Sequence, residues 1–190
     1  MSDELTRRIG NTLKTLRQEK GWSLTRAAED TGVSKAMLGQ IERGESSPTV
    51  ATLWKIATGM NVAFSTFIEP TLADEDVTYR SGAGSAFREN EAGMHVVPLF
   101  PFDEKLRFDM LVIELAAGAS STSSAHESGV IEHIIVLEGQ LEMTVDGQTH
   151  VHVLSAGDAL RFAADREHRY HNPASTMVRF HDLIHYPDKK

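Results

Sequence analysis

The chain contains no cysteine, which excludes disulfides and thiolate metal sites. No run of 18 apolar residues occurs, and the opening MSDELTRRIG lacks the apolar stretch of a signal peptide, so neither membrane insertion nor secretion is expected and a cytoplasmic protein is. Repeats of 20 to 50 residues and low-complexity tracts are missing too, which excludes solenoids and long disordered tails. Base is scarce: 19 Lys and Arg stand against 27 Asp and Glu, a formal net charge of −8. Taken as an average, that balance argues against a nucleic-acid partner, because phosphate binding is driven by cations.

The average conceals a division. With 41% hydrophobic residues in 190, the chain has enough apolar material for one or two globular domains. Residues 1–70 carry 9 Lys and Arg and 8 Asp and Glu, whereas residues 71–190 carry 10 and 19, so the acidity belongs to the second part. All nine histidines also fall there, from His95 to His185. Residues 69–94 are polar and acidic with little periodicity. The expected organisation is a domain over 1–70, a linker with the first edge strand or strands over 71–104, and a second domain over 105–190.

The first domain reads as all-α. Leu5, Ile9, Leu13 and Leu16 recur at helical spacing, giving a helix that ends near Lys20-Gly21. Ser23 caps a short helix through Leu24, Ala27 and Ala28 that stops at Gly32, and Ser34 caps a third helix from Lys35 to Arg43 closed by Gly44. Ser47-Pro48 reads as a cap plus first-turn proline for a fourth helix with Val50, Leu53, Trp54 and Ala57 as its buried stripe. A last turn carries Phe64 and Phe67. Two short helices joined by a tight glycine turn form a helix-turn-helix.

At about 100° per residue, the third helix puts Met37, Leu38 and Ile41 on one arc and Lys35, Ala36, Gly39, Gln40 and Arg43 on the other. A small, polar and basic outer face suits a DNA major groove: Gln40 matches adenine, Lys35 matches guanine acceptors and Ala36 can meet a thymine methyl. Ser23, Thr25, Arg43, Ser46 and Ser47, together with the cap Ser34, lie where phosphate contacts form. An ordinary solvated helix face is the plainer alternative.

The stretch WSLTRAAEDTGVSKAMLGQIERGESSPTVATLWKIATGMNV resembles the lambda-repressor-like helix-turn-helix family called XRE, over about residues 6–68. In that family the positions of Lys35, Ala36 and Gln40 read bases, while Gln40 and Glu42 also brace the helix. Leu24 replaces the usual polar residue at the start of the second helix.

From Lys105 onward the period changes to that of strands, at Phe108 to Leu115, His133 to Val145, His150 to Leu154, Ala159 to Ala163 and Met177 to Ile184, separated by glycine turns. An all-β sandwich or barrel follows, and Val145-Asp146-Gly147-Gln148 is a hairpin signal. Two histidine-bearing segments stand out, HESGVIEHIIVLEG and RFAADREHRYHN. If Glu132 points inward, Ile134 and Val136 do so too and His133 does not; His168, Tyr170 and Asn172 likewise share a face. Two imidazoles and one carboxylate converging in a barrel would make a facial triad for Fe(II), Zn or a similar ion, although spacing alone does not bring the two segments together.

These segments resemble the paired motifs of the cupin barrel, a double-stranded β-helix, with Gly118, His126, Glu132 and Gly139 in the first and Gly157, His168 and Asn172 in the second. The resemblance implies His126, Glu132 and His168 as metal ligands. Ser128 stands where the first motif has a second histidine, and Ala163 and Asp165 replace a proline and a glycine. A metal-free pocket that takes a small molecule directly is the rival. The pocket is expected to include Ser128, Ile134, Arg161, Tyr170 and Asn172, and an anionic effector would draw on Arg161, Arg107 or Arg179.

A helix-turn-helix joined to a cupin resembles bacterial one-component regulators. GVIEH, RFAAD and LIHYP are most similar to the branch that governs sulfur-utilisation genes, which implies a sulfur-containing amino acid as effector. The expected protein is a homodimeric regulator that binds a roughly palindromic double-stranded DNA operator, senses a small molecule and is not an enzyme. The alternatives are a metal-dependent cupin dioxygenase or isomerase fused to a DNA-binding domain, and a purely structural cupin that only dimerises.

Overall fold

A computed structural model describes residues 3–68, 87–89, 93–146 and 149–187. The expected linker mostly falls outside these, as do Gly147 and Gln148 of the hairpin signal. Four helices, α1 (Asp3–Glu19), α2 (Leu24–Thr31), α3 (Lys35–Glu42) and α4 (Val50–Gly59), are followed by a 3-10 turn at Phe64–Phe67. Ser23 Oγ accepts from Arg26 N–H and Ser34 Oγ from Met37 N–H, while Gly32 takes the left-handed conformation that ends α2. The cap of α4 differs from expectation. It is Thr49, whose hydroxyl accepts from Thr52 N–H at 3.0 Å, because the Ser47 hydroxyl is already engaged by Thr6 at 2.8 Å and Pro48 ends up in the preceding loop.

Apolar side chains spaced for one helical face fill the bundle core: Leu5, Ile9 and Leu13 from α1, Leu38 and Ile41 from α3, Leu53, Trp54 and Ile56 from α4, then Phe64 and Phe67. Arg17 clamps α3 to α1, donating from Nε and Nη2 to both carboxylate oxygens of Glu42 at 2.6 and 2.8 Å. Helix α4 lies directly on α2, for a Cβ at Gly59 would stand 2.4 Å from the Asp30 carbonyl oxygen.

The remaining chain forms two facing antiparallel sheets. One has the order β1-β2-β3-β10-β5-β8 and the other β4-β9-β6-β7. Their ranges are β1 (Phe87–Glu89), β2 (Met94–Asp103), β3 (Phe108–Leu115), β4 (Ser120–Ser123), β5 (Ile131–Glu138), β6 (Gln140–Val145), β7 (His152–Ser155), β8 (Ala159–Ala163), β9 (His168–His171) and β10 (Val178–His185). The single run expected over 133–145 is two strands in different sheets. Gly139 divides them at φ 82°, pressed against the backbone of Val178. Two strands escape the period-two pattern. In β2 the pairing shifts register around Pro98 and Pro101, and β4 is all Ser and Thr. Alternation is regular in β3, β5 and β10, so Asp109, Leu111, Ile113, Glu132, Ile134, Val136, Phe180, Asp182 and Ile184 face inward. No helix among the described residues is long and apolar enough to cross a membrane.

The bundle and barrel meet through the 3-10 turn. Buried Ser65 donates its N–H to Asp109 Oδ2 at 3.3 Å, its Oγ accepts from Phe102 N–H at 2.9 Å, and Tyr186 Oη donates to Asp109 Oδ1 at 3.4 Å. Burial pushes the Asp109 carboxyl up to about 6, against the pull of these hydrogen bonds.

Two outcomes are expected. Gly59→Ala should cost about 1–3 kcal/mol in urea unfolding, because the added methyl has only α2 backbone to displace; an unchanged midpoint would show that the helices part freely. Asp109 holds its proton in the folded state up to about pH 6, whereas the unfolded chain releases it near 4, so wild-type stability falls as pH rises through that window. Relative to Asp109→Asn, the loss between pH 4 and pH 7 should approach ~3 kcal/mol. Parallel stability curves for the two proteins would contradict it.

Candidate functional site

On α3, Leu38, Gly39 and Ile41 are buried and Lys35, Ala36, Met37 and Gln40 are exposed, as is Arg43 at its C-cap. Two assignments of the helical projection are corrected. Met37, expected in the core, is 37% exposed with its sulfur near Ser46 Oγ, while Gly39, expected outside, is covered. Gly39 is covered by the Arg43 side chain and by Leu24 of α2: a Cβ there would meet Arg43 Nη1 at 3.1 Å and Leu24 Cδ1 at 3.8 Å. Ser23, Thr25, Ser34 and Ser47 are exposed beside this helix and Ser46 is half-buried. Arg43 is exposed and paired to Glu45 through two hydrogen bonds, an exchangeable surface contact. The outward surface of α3 thus carries two cations, one amide, one methyl and one thioether.

Inside the barrel the two histidine segments meet. His126 comes from the loop after β4, Glu132 from β5 and His168 from the start of β9, and one ligand atom from each lies within 4.8 Å of the others. His126 Nε2 stands 2.8 Å from Glu132 Oε1 and His168 Nε2 3.6 Å from Glu132 Oε2, with all three side chains at most 5% exposed. Tyr170 Oη donates to Glu132 Oε2 at 2.8 Å. Burial opposes ionisation of Glu132, but the two imidazoles and the Tyr170 hydroxyl outweigh it and hold the carboxyl below its usual range. Burial pushes His168 down, so it is neutral near pH 7, and pushes Tyr170 well up, so it remains a donor.

These protonation states leave donor atoms facing one another. The partner of His168 Nδ1 is the Arg166 carbonyl oxygen at 2.9 Å, which can only accept; the proton is therefore on Nδ1 and the Nε2 lone pair points at an anionic carboxylate. His126 Nε2, Glu132 Oε1 and His168 Nε2 are all buried without a well-formed hydrogen bond. The His168 Nε2 lone pair and the Glu132 carboxylate repel in a dry site unless a cation lies between them, and His126 Nε2 can join them as a third ligand once its proton is on Nδ1, so the donor set fits a divalent ion of the Zn or Fe(II) type.

The expected pocket residues divide. Ile134 and Tyr170 do face the barrel interior. Ser128 does not, lying in an exposed turn, and Arg161 is on the outer side of β8, opposite in phase to inward Phe162. Asn172 is buried but committed: its Nδ2 donates to the Leu115, Ala116 and Thr176 carbonyls and its Oδ1 accepts from Ala174 N–H, which makes it a brace for the loops. Arg107 donates to the Pro187 carbonyl and Arg179 lies beside Glu114, so neither arginine enters the barrel. No lysine or arginine is buried among the described residues, and the interior carries acid instead. Asp182 is 1% exposed with Oδ1 unpartnered, and burial pushes its carboxyl well up. Asp109 and Asp182 were overlooked in the sequence, yet counting by twos from Ile184 reaches Asp182, and from Leu111 reaches Asp109.

Comparison with known proteins agrees with both halves. A helix-turn-helix family model matches residues 13–67 and a cupin-domain model residues 111–184. The HTH-type transcriptional regulator SutR of Escherichia coli (strain K12) is 53% identical over 185 residues, 97% of this chain and 98% of its own. The HTH-type transcriptional regulator PuuR from the same organism is 25% identical over 172 residues, 90% of each chain. The crystal structure of an HTH_3 family transcriptional regulator from Vibrio cholerae superposes with a TM-score of 0.82 at 37% identity, covering 98% of this chain and 100% of that one. The helix-turn-helix that contains α3 and a barrel with a convergent donor set accordingly sit in one transcriptional regulator, and the chain belongs to the HTH-type regulators that carry a cupin domain.

Proposed function

We propose that the protein is a cytoplasmic, homodimeric DNA-binding regulator whose barrel senses a small metabolite at a metal held by His126, Glu132 and His168. The observation that carries the sensing half is the buried cluster of unpartnered donor atoms, a costly arrangement to keep without a cation. A divalent ion there would act as a Lewis acid that binds an electron-rich ligand atom, and Tyr170 would hold Glu132 in position through its hydrogen bond. A sulfur-containing amino acid is the effector that the likeness to SutR favours. The acidic interior, with no arginine buried among the described residues, favours ligands that need no cationic side chain.

On the DNA side, Lys35, Ala36 and Gln40 read bases while Arg43, Ser23, Thr25, Ser46 and Ser47 meet phosphates, with Ser34 ordering the first turn of α3. Two copies would place their α3 helices about 34 Å apart in successive major grooves of a palindromic site. Exposed Ile135 and Leu137 on β5, with Val151 and Val153 at β7, offer apolar surface for a second copy of the barrel.

A Lys35→Ala, Gln40→Ala double variant should keep its fold and lose on the order of 2–6 kcal/mol of affinity for a duplex selected from random DNA by the wild-type protein. Retained affinity would mean that another face reads the operator. Wild type should take up one equivalent of zinc or Fe(II) per chain, and His168→Ala and Glu132→Gln should lose it; equal uptake by the variants would reject the triad. Chemical conversion of a sulfur amino acid by the metal-loaded protein would reject the sensor in favour of an enzyme.

A further inference from the structure

The barrel does not enclose His126 alone. The far nitrogen of that histidine, Nδ1, lies 3.0 Å from Thr58 Oγ1, which belongs to α4 of the helical bundle. Trp54, one turn earlier on α4, has its ring centroid 5.4 Å from that of His126, and is itself stacked on Phe64 at 4.2 Å. The crevice where α4 meets the barrel is lined by Trp54, Thr58, His126, Val130 and Tyr186 among others.

We propose that α4 of the DNA-binding bundle supplies the outer shell of the barrel's metal site, with Thr58 as the positioning residue for His126, so that metal occupancy and the seating of α4 depend on one another. This rests on reading the triad as a metal centre. A histidine that ligates through Nε2 carries its proton on Nδ1, and inside a protein that proton needs an acceptor. His168 has the Arg166 carbonyl for this purpose; His126 has the Thr58 hydroxyl. A hydroxyl serves both states of the site because it donates as well as accepts. With the proton on Nε2 facing Glu132, Nδ1 accepts from Thr58; with Nε2 facing a cation, the proton sits on Nδ1 and Thr58 accepts.

The contact extends towards the reading helix. Gly59, adjacent to Thr58, is where α4 lies against the α2 backbone, and α2 packs on α3 at Leu24 and Gly39. A displacement of α4 therefore carries the helix-turn-helix with it. By linkage, if a seated α4 tightens metal binding by some factor, metal favours the seated α4 by that same factor.

The test uses the full chain. Wild type, Thr58→Val and Thr58→Ser are titrated with zinc, followed by Trp54 emission in a Trp22→Phe background, and amide hydrogen exchange over residues 50–59 is measured with and without saturating zinc. Thr58→Ser should match wild type, and Thr58→Val should bind roughly ten- to a hundredfold more weakly, the usual consequence of losing an outer-shell partner. Zinc should slow exchange of α4 in wild type and Thr58→Ser and leave it unchanged in Thr58→Val. Wild-type affinity in Thr58→Val, or α4 exchange that ignores zinc in wild type, overturns the proposal. A wild type that binds no zinc rejects the metal reading and this proposal together, whereas normal zinc binding by Thr58→Val rejects only the role of Thr58. If Thr58→Val melts at lower temperature, Thr58→Ala removes the same hydroxyl with less bulk and is judged by the same criteria.

Discussion

A carboxylate that is fully buried between two imidazoles in a β-barrel is the constraint around which the second half of this protein is arranged. Tyr170 donates a hydrogen bond to Glu132, and His126 and His168 face it with their Nε2 atoms. Those histidines are held from behind, one by a carbonyl within the barrel and the other by a hydroxyl from the helical bundle. A loop and two strands supply the three side chains from separate places in the chain, and the inward row of Ile134, Val136, Phe180 and Ile184 lines the surrounding interior with apolar groups.

The same site explains why the two domains do not read as beads on a string. Bundle and barrel share polar contacts in a poorly solvated seam, with Ser65 on Asp109 and Thr58 on His126, and aromatic packing of Trp54 on Phe64 ties the two contacts to one helix. Contacts of this kind are selective in geometry, since a small shift leaves a buried group without its partner. A regulator needs such a seam if a small ligand in one domain is to change how the other meets DNA.

Charge shows how an average misleads. The net of −8 belongs to the barrel half, while the helical half is close to neutral and presents Lys35 and Arg43 on one short helix. With phosphate binding driven by cations, the DNA affinity of this helix-turn-helix should weaken as salt rises.

Much of this was legible in the residues. Serine caps, a glycine stop and apolar spacing located α2 and α3, because those signals act within one helical turn; alternation located β3 and grouped Glu132 with Ile134 and Val136, and His168 with Tyr170, on shared faces, while β5 and β6 ran together as one segment. Strands without alternation, such as β4, stayed hidden, and so did the cap of α4, because Ser47 was taken by Thr6 from another helix. The outward turn of Met37, the covering of Gly39, the exclusion of Arg161 from the barrel and the commitment of Asn172 to loop carbonyls all depend on neighbours distant in the chain. By itself the sequence determined the candidate residues and grouped most of them by face, as with Lys35, Ala36 and Gln40 on α3 and Glu132 with Ile134 on β5, because helical and strand periods are local. Only the tertiary structure decided that His126, Glu132 and His168 meet, and that α4 stands behind His126. Those distances come from closing the barrel and docking the bundle on it, which no local period encodes.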